Sequence, residues 1–293
     1  MTELFDRAYV LRVGDVEIRD LRVAFLVERT SRSTPNKAEI TVSNLSAERR
    51  GELERLDSVS CTLAVGYGTT THVIFSGDLS TVANTYEQPN WTTKISGVDG
   101  GRRRRTARIQ RSFRPGTPLR AVFEAIASAM GLGVGNLPNA SSSASLSGGA
   151  GSTLVGGTAI EGSAAEALEG LCRSCELEWS IQGGALQLVP LGQALRGAAI
   201  RLDADSGLVG DVSRETGGKI KLRALMIPDL FPGRLIEPRT RTLTAGQYRV
   251  TKATYRGDSH GQDWYVECEA EPPGTRTSAR ASRKPSETKD ARR

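Results

Sequence analysis

A chain of 293 residues with 38% hydrophobic and 5% aromatic residues is long enough for about two domains, each with its own core. Of the formal net charge of +6, residues 102–114 carry seven arginines and no acid, and residues 271–293 carry seven Lys/Arg and three acids. The remainder is therefore mildly acidic, which excludes a globally basic nucleic-acid-binding domain. No apolar run approaches the roughly 20 residues of a membrane span, and the start lacks a signal-peptide layout, so we expect assembly in the cytoplasm.

The first hundred residues are typical of a β-domain. Period-two alternation of apolar and polar residues predicts strands at 9–13, 16–19, 21–28, 35–45, 59–65, 72–78, 79–83 and 91–99. The run PNKAEITVSNLS, residues 35–46, contains one of these strands and ends at Ser46, the expected N-cap of a short helix at 47–56. Short strands with glycine turns indicate a closed or nearly closed antiparallel barrel, because open edges would pair with other chains.

A basic stripe follows. Its candidate partner-contact residues are Arg102, Arg103, Arg104, Arg105 and Arg108. One interpretation is a solvated strand or loop face. The alternative is a contact with an acidic surface of a neighbouring protein or with DNA passing nearby. Phe113 is the only aromatic residue in the stripe, so it gives little support to a stacking platform for single strands.

The middle of the chain combines helices with a hairpin. We predict a helix at 117–130, with Thr117 as N-cap and Pro118 in the first turn. Residues 131–162 form a Gly/Ser-rich stretch, within which residues 139–157 are expected to be a flexible loop or a long β-excursion. A second helix is predicted at 163–175, capped by Ser163. A hairpin should follow, with strands at 176–181 and 185–190.

The last third returns to a β-pattern. Strands are predicted at 208–212, 219–233, 247–255 and 263–270, with a turn at 256–261. The stretch 272–293 is rich in Pro, Ser, Arg and Lys and should be disordered on its own.

Little in the sequence indicates catalysis or metal binding. Cys172 and Cys175 form a C-x-x-C at the end of a predicted helix, whereas a redox motif needs the helix start, and no second pair completes a zinc site. The neighbouring residues 258–260, Asp-Ser-His, lie in one turn and do not have the spatial arrangement of a triad. The carboxylates Glu176 and Glu178 share one strand face, where solvation is expected. We therefore predict no catalytic residue, no cofactor and no metal.

Four stretches in this order resemble the baseplate hub proteins of contractile-tailed phages and related injection machines. They are PNKAEITVSNLS, VIFSGDLSTVANTYEQPNWTTKISGVDGG, LMIPDLFPG and GQYRVTKATYRGDSHGQDWYVECEAEP. The resemblance implies a mainly β fold with two tail-tube-like antiparallel β-barrel domains and a small α/β insert. The expected boundaries are 1–112 for the first barrel, 113–197 for the insert, 198–271 for the second barrel and 272–293 for a basic tail.

The resemblance also implies a function. Three copies would form a pseudo-sixfold ring that adapts the sixfold tail tube to the threefold spike around a central channel. The implied partners are the tube, the spike, other baseplate proteins and the tape measure protein, with DNA only as a transient passenger and no membrane. The implied location is the virion tail baseplate, assembled in the host bacterial cytoplasm.

Two alternatives remain open. One is a tail-associated cell-wall hydrolase that uses Asp258 or a carboxylate pair. The other is a DNA-binding module centred on the stripe from Arg102 to Arg105.

Overall fold

A computed structural model of the chain describes residues 6–31, 33–57, 59–136, 153–243 and 246–275, with the backbone alone for residues 102 and 103. Its elements in chain order are β1 (Arg7–Val13), β2 (Val16–Ile18), β3 (Val23–Thr30), β4 (Lys37–Ser43), α1 (Ala47–Arg55), β5 (Ser60–Tyr67), β6 (Thr70–Glu87), β7 (Asn90–Val98), α2 (Gly101–Thr106), β8 (Arg108–Phe113), α3 (Leu119–Ala129), β9 (Gly133–Val134), β10 (Thr158–Ser163), α4 (Ala164–Ser174), β11 (Leu177–Gln182), β12 (Ala185–Pro190), β13 (Ile200–Leu202), β14 (Leu208–Arg214), β15 (Ile220–Leu225), β16 (Leu235–Pro238), β17 (Tyr248–Asp258) and β18 (Trp264–Glu271). Among the described residues, no helix is long and apolar enough to cross a membrane.

The strands assemble into one large antiparallel-rich sheet and two small ones. The large sheet has thirteen strands, with the path β14-β15-β18-β17-β3-β4-β7-β6-β5-β1-β2; in addition, β16 pairs with β17, and β13 pairs with β16. The small sheets are β10-β8 and β11-β12-β9. This arrangement confirms the predicted fold class, mainly β with a small α/β insert, whereas the closure of each barrel stays a prediction.

Two hydrophobic clusters divide the molecule. The larger one joins residues from two parts of the chain, 7–98 and 200–271, which we call the first and second β units. The smaller one packs α3 and α4 against β11 and β12, within residues 107–190, which we call the insert. Helix α3 has the predicted apolar stripe, with Val122, Phe123 and Ile126 buried. The domain boundaries drawn from the sequence stay a prediction.

Local signals predicted most elements well, with four corrections. The strand predicted at 219–233 ends at Leu225, because Pro228 and Pro232 in the following stretch have no backbone N–H to donate to a neighbouring strand. The strands predicted at 72–78 and 79–83 are one continuous strand, β6, because pairing passes from β5 to β7 at Asp78. The turn predicted at 256–261 is wrong in its first half, since β17 continues to Asp258. Thr117 does not cap α3: its Oγ1 donates to the Arg114 carbonyl at 2.7 Å, and Pro118 occupies the cap position. The predicted loop at 139–157 lies largely outside the described residues.

The two β units repeat the same five-strand arrangement. The order β3-β4-β7-β6-β5 in the first unit corresponds to β14-β15-β18-β17-β16 in the second. Both long hairpins carry a register shift at the same place, at Ser80 in β6 and at Thr251 in β17. Counting from these shifts aligns the two hairpins and places Trp91 and Trp264 at equivalent positions.

The units are joined by a seam between β3 and β17, which pair antiparallel from Thr30 with Lys252 to Ala24 with Asp258. Near one end of the seam, the rings of Phe25 and Trp264 meet edge-to-face with centroids 5.5 Å apart. They meet over Gly257, where an added Cβ would lie 2.3 Å from Phe25 Cζ. The seam therefore requires a residue without a side chain at this position.

Candidate assembly surfaces

The insert rests on the first β unit through a buried cluster of amides, which we call the amide junction. The Asn36 amide nitrogen donates to the Ile181 carbonyl at 2.8 Å and to Asp99 Oδ2 at 3.2 Å, and Asn36 Oδ1 accepts from the Thr30 backbone at 2.9 Å. Gln182 completes the cluster by donating to the Thr30 carbonyl at 2.9 Å. Asn36 and Asp99 come from two of the stretches that carry the family resemblance. Their hydrogen bonds at the junction account for an amide at position 36 and a carboxyl at position 99.

Two charged groups lie at the amide junction without forming an ion pair with each other. Arg29 donates through Nε to Gln182 Oε1 at 2.9 Å, and its guanidinium lies 5.3 Å from the Phe231 ring centroid. Burial raises the pKa of the Asp99 carboxyl to about 7, although the Asn36 amide and the Arg29 charge act in the opposite direction. Asp99 is therefore expected to gain or lose its proton near neutral pH.

A second buried cluster, the ionic junction, holds the insert on the second β unit. Arg249 on β17 contacts Glu178 Oε2 of the insert at 2.5 Å and Glu271 Oε1 of β18 at 2.8 Å. The same guanidinium donates to the Gln193 carbonyl at 3.1 Å. Burial acts to lower the pKa of Arg249, but the hydrogen bonds and charges of the two glutamates outweigh it and raise the pKa above its usual value. Glu178 is therefore not the solvated carboxylate that the sequence indicates.

Arg102 to Arg105 lie in a helix, so their interpretation as a strand or loop face is wrong, whereas Arg108 begins strand β8. Helix α2 begins directly after β7, with the Arg104 N–H donating to the Gly100 carbonyl at 2.9 Å. Arg104 is half-buried, and its guanidinium lies 5.1 Å from the Trp179 ring centroid of the insert. Trp179 in turn donates to Glu169 Oε2 at 2.7 Å. The Arg104 side chain therefore contacts the insert of its own chain.

The other described arginines of the stripe face a groove between the first β unit and the insert. The groove has a volume of about 1120 Å³ and is lined by Arg104, Arg105, Arg108, Asp78, Glu166 and Glu169 among others. Arg105 and Arg108 are exposed. The structure thus brings three of the five candidate residues to one groove of mixed charge. The side chains of Arg102 and Arg103 lie outside the described part of the chain.

The tip of the β6–β7 hairpin exposes an aromatic pair. Tyr86 is 52% exposed and Trp91 is 37% exposed, and their ring centroids are 5.0 Å apart. Arg50 of α1 lies over the Trp91 ring at 4.0 Å. The equivalent Trp264 is buried in the seam. The two equivalent positions therefore differ in that one is covered and the other is accessible to a partner.

The Asp-Ser-His sequence at 258–260 is part of the seam. Arg22 forms an ion pair with Asp258 at 2.7 Å, which lowers the pKa of that carboxyl. Ser259 Oγ accepts from the Val23 N–H at 3.0 Å and lies 2.8 Å from His260 Nδ1. Asp258 Oδ1 accepts from the backbone of His260 at 3.0 Å and does not contact its ring. These contacts hold β3 against the β17–β18 hairpin and do not form the relay of a hydrolase.

The cysteines have the surroundings of packing residues. Cys172 is buried, and burial raises its pKa far above the usual range of a thiol. Burial raises the pKa of Cys175 in the same direction. Among the described residues, no three His, Cys, Asp or Glu side chains lie together as metal ligands would.

Sequence reasoning missed both junctions. Asn36 and Asp99 flank strands, and neither periodicity nor capping distinguishes them from ordinary turn residues. Arg249 lies in a predicted strand, where a charged residue is expected to be solvated. The sequence does contain a signal of the repeat, which concerns the exposed aromatic pair and not the junctions: Trp91 and Trp264 each lie in a strand that follows a hairpin turn.

Comparisons with known proteins identify the fold. No protein-family model and no curated protein matches the chain. The 43 kDa tail protein of prophage MuSo2 from Shewanella oneidensis is similar with a TM-score of 0.64 at 10% identity, over 92% of this chain and 97% of that one. The tail protein from Neisseria meningitidis MC58 is similar with a TM-score of 0.62 at 11% identity, over 93% of this chain and 98% of that one.

A third similar structure comes from a secretion machine. The E. coli c3393 protein, a component of the type VI secretion system with structural similarity to the T4 bacteriophage tail proteins gp27 and gp5, has a TM-score of 0.59 at 11% identity, over 91% of this chain and 77% of that one. The chain thus has the fold of phage tail proteins and of a type VI secretion component, and its predicted resemblance to the baseplate hub family is confirmed at the level of the fold.

Proposed function

We propose that the chain is the structural hub of a phage-like tail baseplate. Three copies form a pseudo-sixfold ring around a central channel and adapt the sixfold tail tube to the threefold spike. The observation that carries the proposal is the repeat of one five-strand arrangement in the two β units. A chain that carries two similar units presents six similar surfaces when three copies assemble.

The shared fold supports a structural role rather than catalysis. The similar proteins from Shewanella and Neisseria are tail proteins, and the E. coli protein is a secretion-system component. In this chain, Asp258 is occupied by Arg22, and Glu178 is occupied by Arg249. Asp258 and one member of the Glu176/Glu178 pair, the carboxylates considered for a hydrolase, therefore have structural partners.

The proposed partners are the tube and spike proteins, with other baseplate proteins and the tape measure protein around the ring. Within the arginine stripe, we assign the contact with acidic partner surfaces to Arg105 and Arg108, because both are exposed. Replacing these two by serine should weaken binding of an acidic partner, whereas replacing Arg104 by serine should loosen the insert instead. Equal effects of the two variants on partner binding would contradict this assignment.

The test of the function is the mass of the assembly. Light scattering on the purified chain, alone and with its spike protein, should give a trimer, and electron-microscopic class averages should show threefold rings with six lobes. A monomer under both conditions would contradict the proposal. Peptidoglycan turbidity and salt-dependent DNA binding would then test the hydrolase and the DNA-binding alternatives.

A further inference from the structure

The seam pairs β3 with β17, and the equivalent edges in the repeat, β14 and the outer half of β6, do not pair with each other among the described residues. We propose that a second copy of this chain supplies the missing partner for each edge. Strand β14 of one copy pairs with residues 80–87 of β6 in the next copy, in the register that β3 and β17 have within one chain. This inference rests on the proposed function, because it supplies the contact that would join the copies of the hub.

The accepting edge is the outer half of β6. Strand β7 pairs with residues 78–87 on one side, and β5 pairs with residues 70–78 on the other side. On the β5 side of residues 80–87, the described part of the chain places no strand. In β17 the corresponding stretch, residues 252–258, is covered on that side by β3. An uncovered strand edge of this length presents unpaired N–H and C=O groups to another chain.

The donating edge is β14, the counterpart of β3 in the repeat. It pairs with β15 on one side, and its other side has no strand among the described residues. Thr242 contacts it at two points: its hydroxyl donates to Asp211, and its carbonyl accepts from the Arg214 side chain. Residues 213–218 are exposed. The free edge of β14 is therefore accessible to another strand after its irregular stretch, from Ser213 onward.

The repeat fixes the expected register. In the seam, Tyr255 is opposite Val27. Aligning β17 with β6 at their register shifts makes Asn84 equivalent to Tyr255. Aligning β14 with β3 through β15 and β4 makes Arg214 equivalent to Val27. The proposed contact therefore places Asn84 of one copy opposite Arg214 of the next, and Tyr86 close to Val212.

The side chains suit this exchange. In the seam a large residue of β3, Phe25, lies over Gly257 of β17. At the proposed contact the sizes are reversed, because the smaller Val212 would meet Tyr86. The exposed Tyr86–Trp91 pair would then be covered, as Trp264 is covered in the seam.

Charge supports the same register. The Asn84 amide donates to Glu54 Oε1 at 2.6 Å, so a carboxylate lies at the position that Arg214 of the next copy would reach. The α1 helix that carries Glu54 does not block the edge. In the second unit, residues 226–234 occupy the equivalent place, with the Tyr255 hydroxyl donating to the Leu230 carbonyl at 3.0 Å, and β3 still pairs with β17.

Because the donating and accepting edges differ, each copy can bind one neighbour through each edge. Such head-to-tail contacts close into a ring when the rotation allows it. In a ring of three copies, in-chain seams and seams between copies would alternate.

The test is a disulfide between copies. Directly opposite residues of an antiparallel pair have Cα atoms about 4.5–5.5 Å apart, which suits a disulfide. We would introduce Asn84→Cys with Arg214→Cys into a Cys175→Ser background, since the other three cysteines are buried. The matched control combines Asn84→Cys with Ser213→Cys, because adjacent residues of a strand point to opposite faces.

On mild oxidation the Asn84/Arg214 variant should give covalent dimers and trimers, at least about tenfold more than the control, given the strict geometry of disulfides. Equal cross-linking of the two variants would overturn the register. If light scattering shows a trimer but the Asn84/Arg214 variant forms no disulfide between copies, the strand pairing is overturned and the proposed function stands. A monomer at every concentration, with and without the spike, would overturn both.

A charge exchange gives a second readout that needs no cysteine. Arg214→Glu should weaken self-association at least about tenfold, and adding Glu54→Arg should restore it. Both side chains are exposed in the single chain, so neither variant is expected to unfold it. Failure of the second change to restore association would overturn the proposed contact between the two residues.

Discussion

The two junctions that hold the insert bury charge in different ways. At the amide junction, Asn36 and Gln182 stand between the charges of Arg29 and Asp99. At the ionic junction, Arg249 contacts Glu178 and Glu271 directly. The amides of the first junction are neutral donors and acceptors, whereas the second junction holds charges that need each other as partners. The comparison indicates that the ionic junction is the more costly of the two to break.

The largest effect is expected at the ionic junction. Arg249→Met should lower the free energy of unfolding by about 3–5 kcal/mol, because the buried Glu271 and the half-buried Glu178 lose their counter-charge. Urea unfolding would measure it. As a matched control, Arg223→Met removes a surface partner of Glu267 and should cost less than about 1 kcal/mol. Similar losses in the two variants would contradict the distinction between buried and exposed ion pairs.

At the amide junction, Asn36→Ala should cost about 2–3 kcal/mol, because the Thr30 N–H and the Ile181 carbonyl lose their partner in a buried site. Asn90→Ala, at the exposed hairpin turn, is the control and should change stability little. A loss for Asn36→Ala that equals the loss for Arg249→Met would remove the proposed ranking of the junctions.

A pH dependence is expected at the amide junction through Asp99. Its pKa is about 7 in the folded chain, against an ordinary value of 3.8. Between these values the folded chain holds a proton that the unfolded chain has released, so the free energy of unfolding falls as pH rises from about 4 to about 7. Arg29, Asp78, the Asn36 amide and the Gly183 N–H face this carboxyl.

Asp99→Asn keeps the site neutral and should remove this dependence, so that the stability of the variant relative to the wild type rises by up to about 1.4 kcal/mol for each pH unit between about 4 and about 7. Unfolding of both proteins across the pH range would measure the difference. Parallel pH profiles would show that Asp99 does not titrate in this window.

The smallest effect is a contrast between two glycines. Gly100 has a φ of +64°, and an added Cβ would lie 2.5 Å from Ile181 Cδ1 of the insert. Gly68 has a φ of +56° with no atom within 4 Å of an added Cβ. Both alanine variants carry the cost of the left-handed conformation, so Gly100→Ala should be less stable by only about a further 1 kcal/mol, through overpacking. Equal stability would show that Ile181 moves freely at the junction.

Local signals in the sequence predicted the strands and helices whose residues carry their own pattern. Ser46 caps α1 and Ser163 caps α4, because each hydroxyl accepts a backbone N–H within its own helix. Helix α2 could not be predicted in this way. It has no apolar stripe, and its position depends on Arg104 packing against Trp179, which is remote in sequence.

Contacts that are distant along the chain also exceeded what a local pattern can give. Strands β13 and β16 are short and pair parallel, so their existence depends on the surrounding sheet. The roles of Asn36 and Arg249 depend on partners more than sixty residues away along the chain. A single-sequence pattern records which residues alternate, but it does not record which distant groups they meet.

The seam between β3 and β17 has a kinetic consequence. Because both strands belong to one polypeptide, they are held at a high effective concentration and meet during folding, at any dilution. In the proposed ring, only the contacts between copies would require collisions, so three such contacts would replace six, and two collisions would be enough where a ring of six single-unit chains needs five. Assembly would then depend on the third power of the chain concentration, and dilution would arrest it at single chains that are already folded.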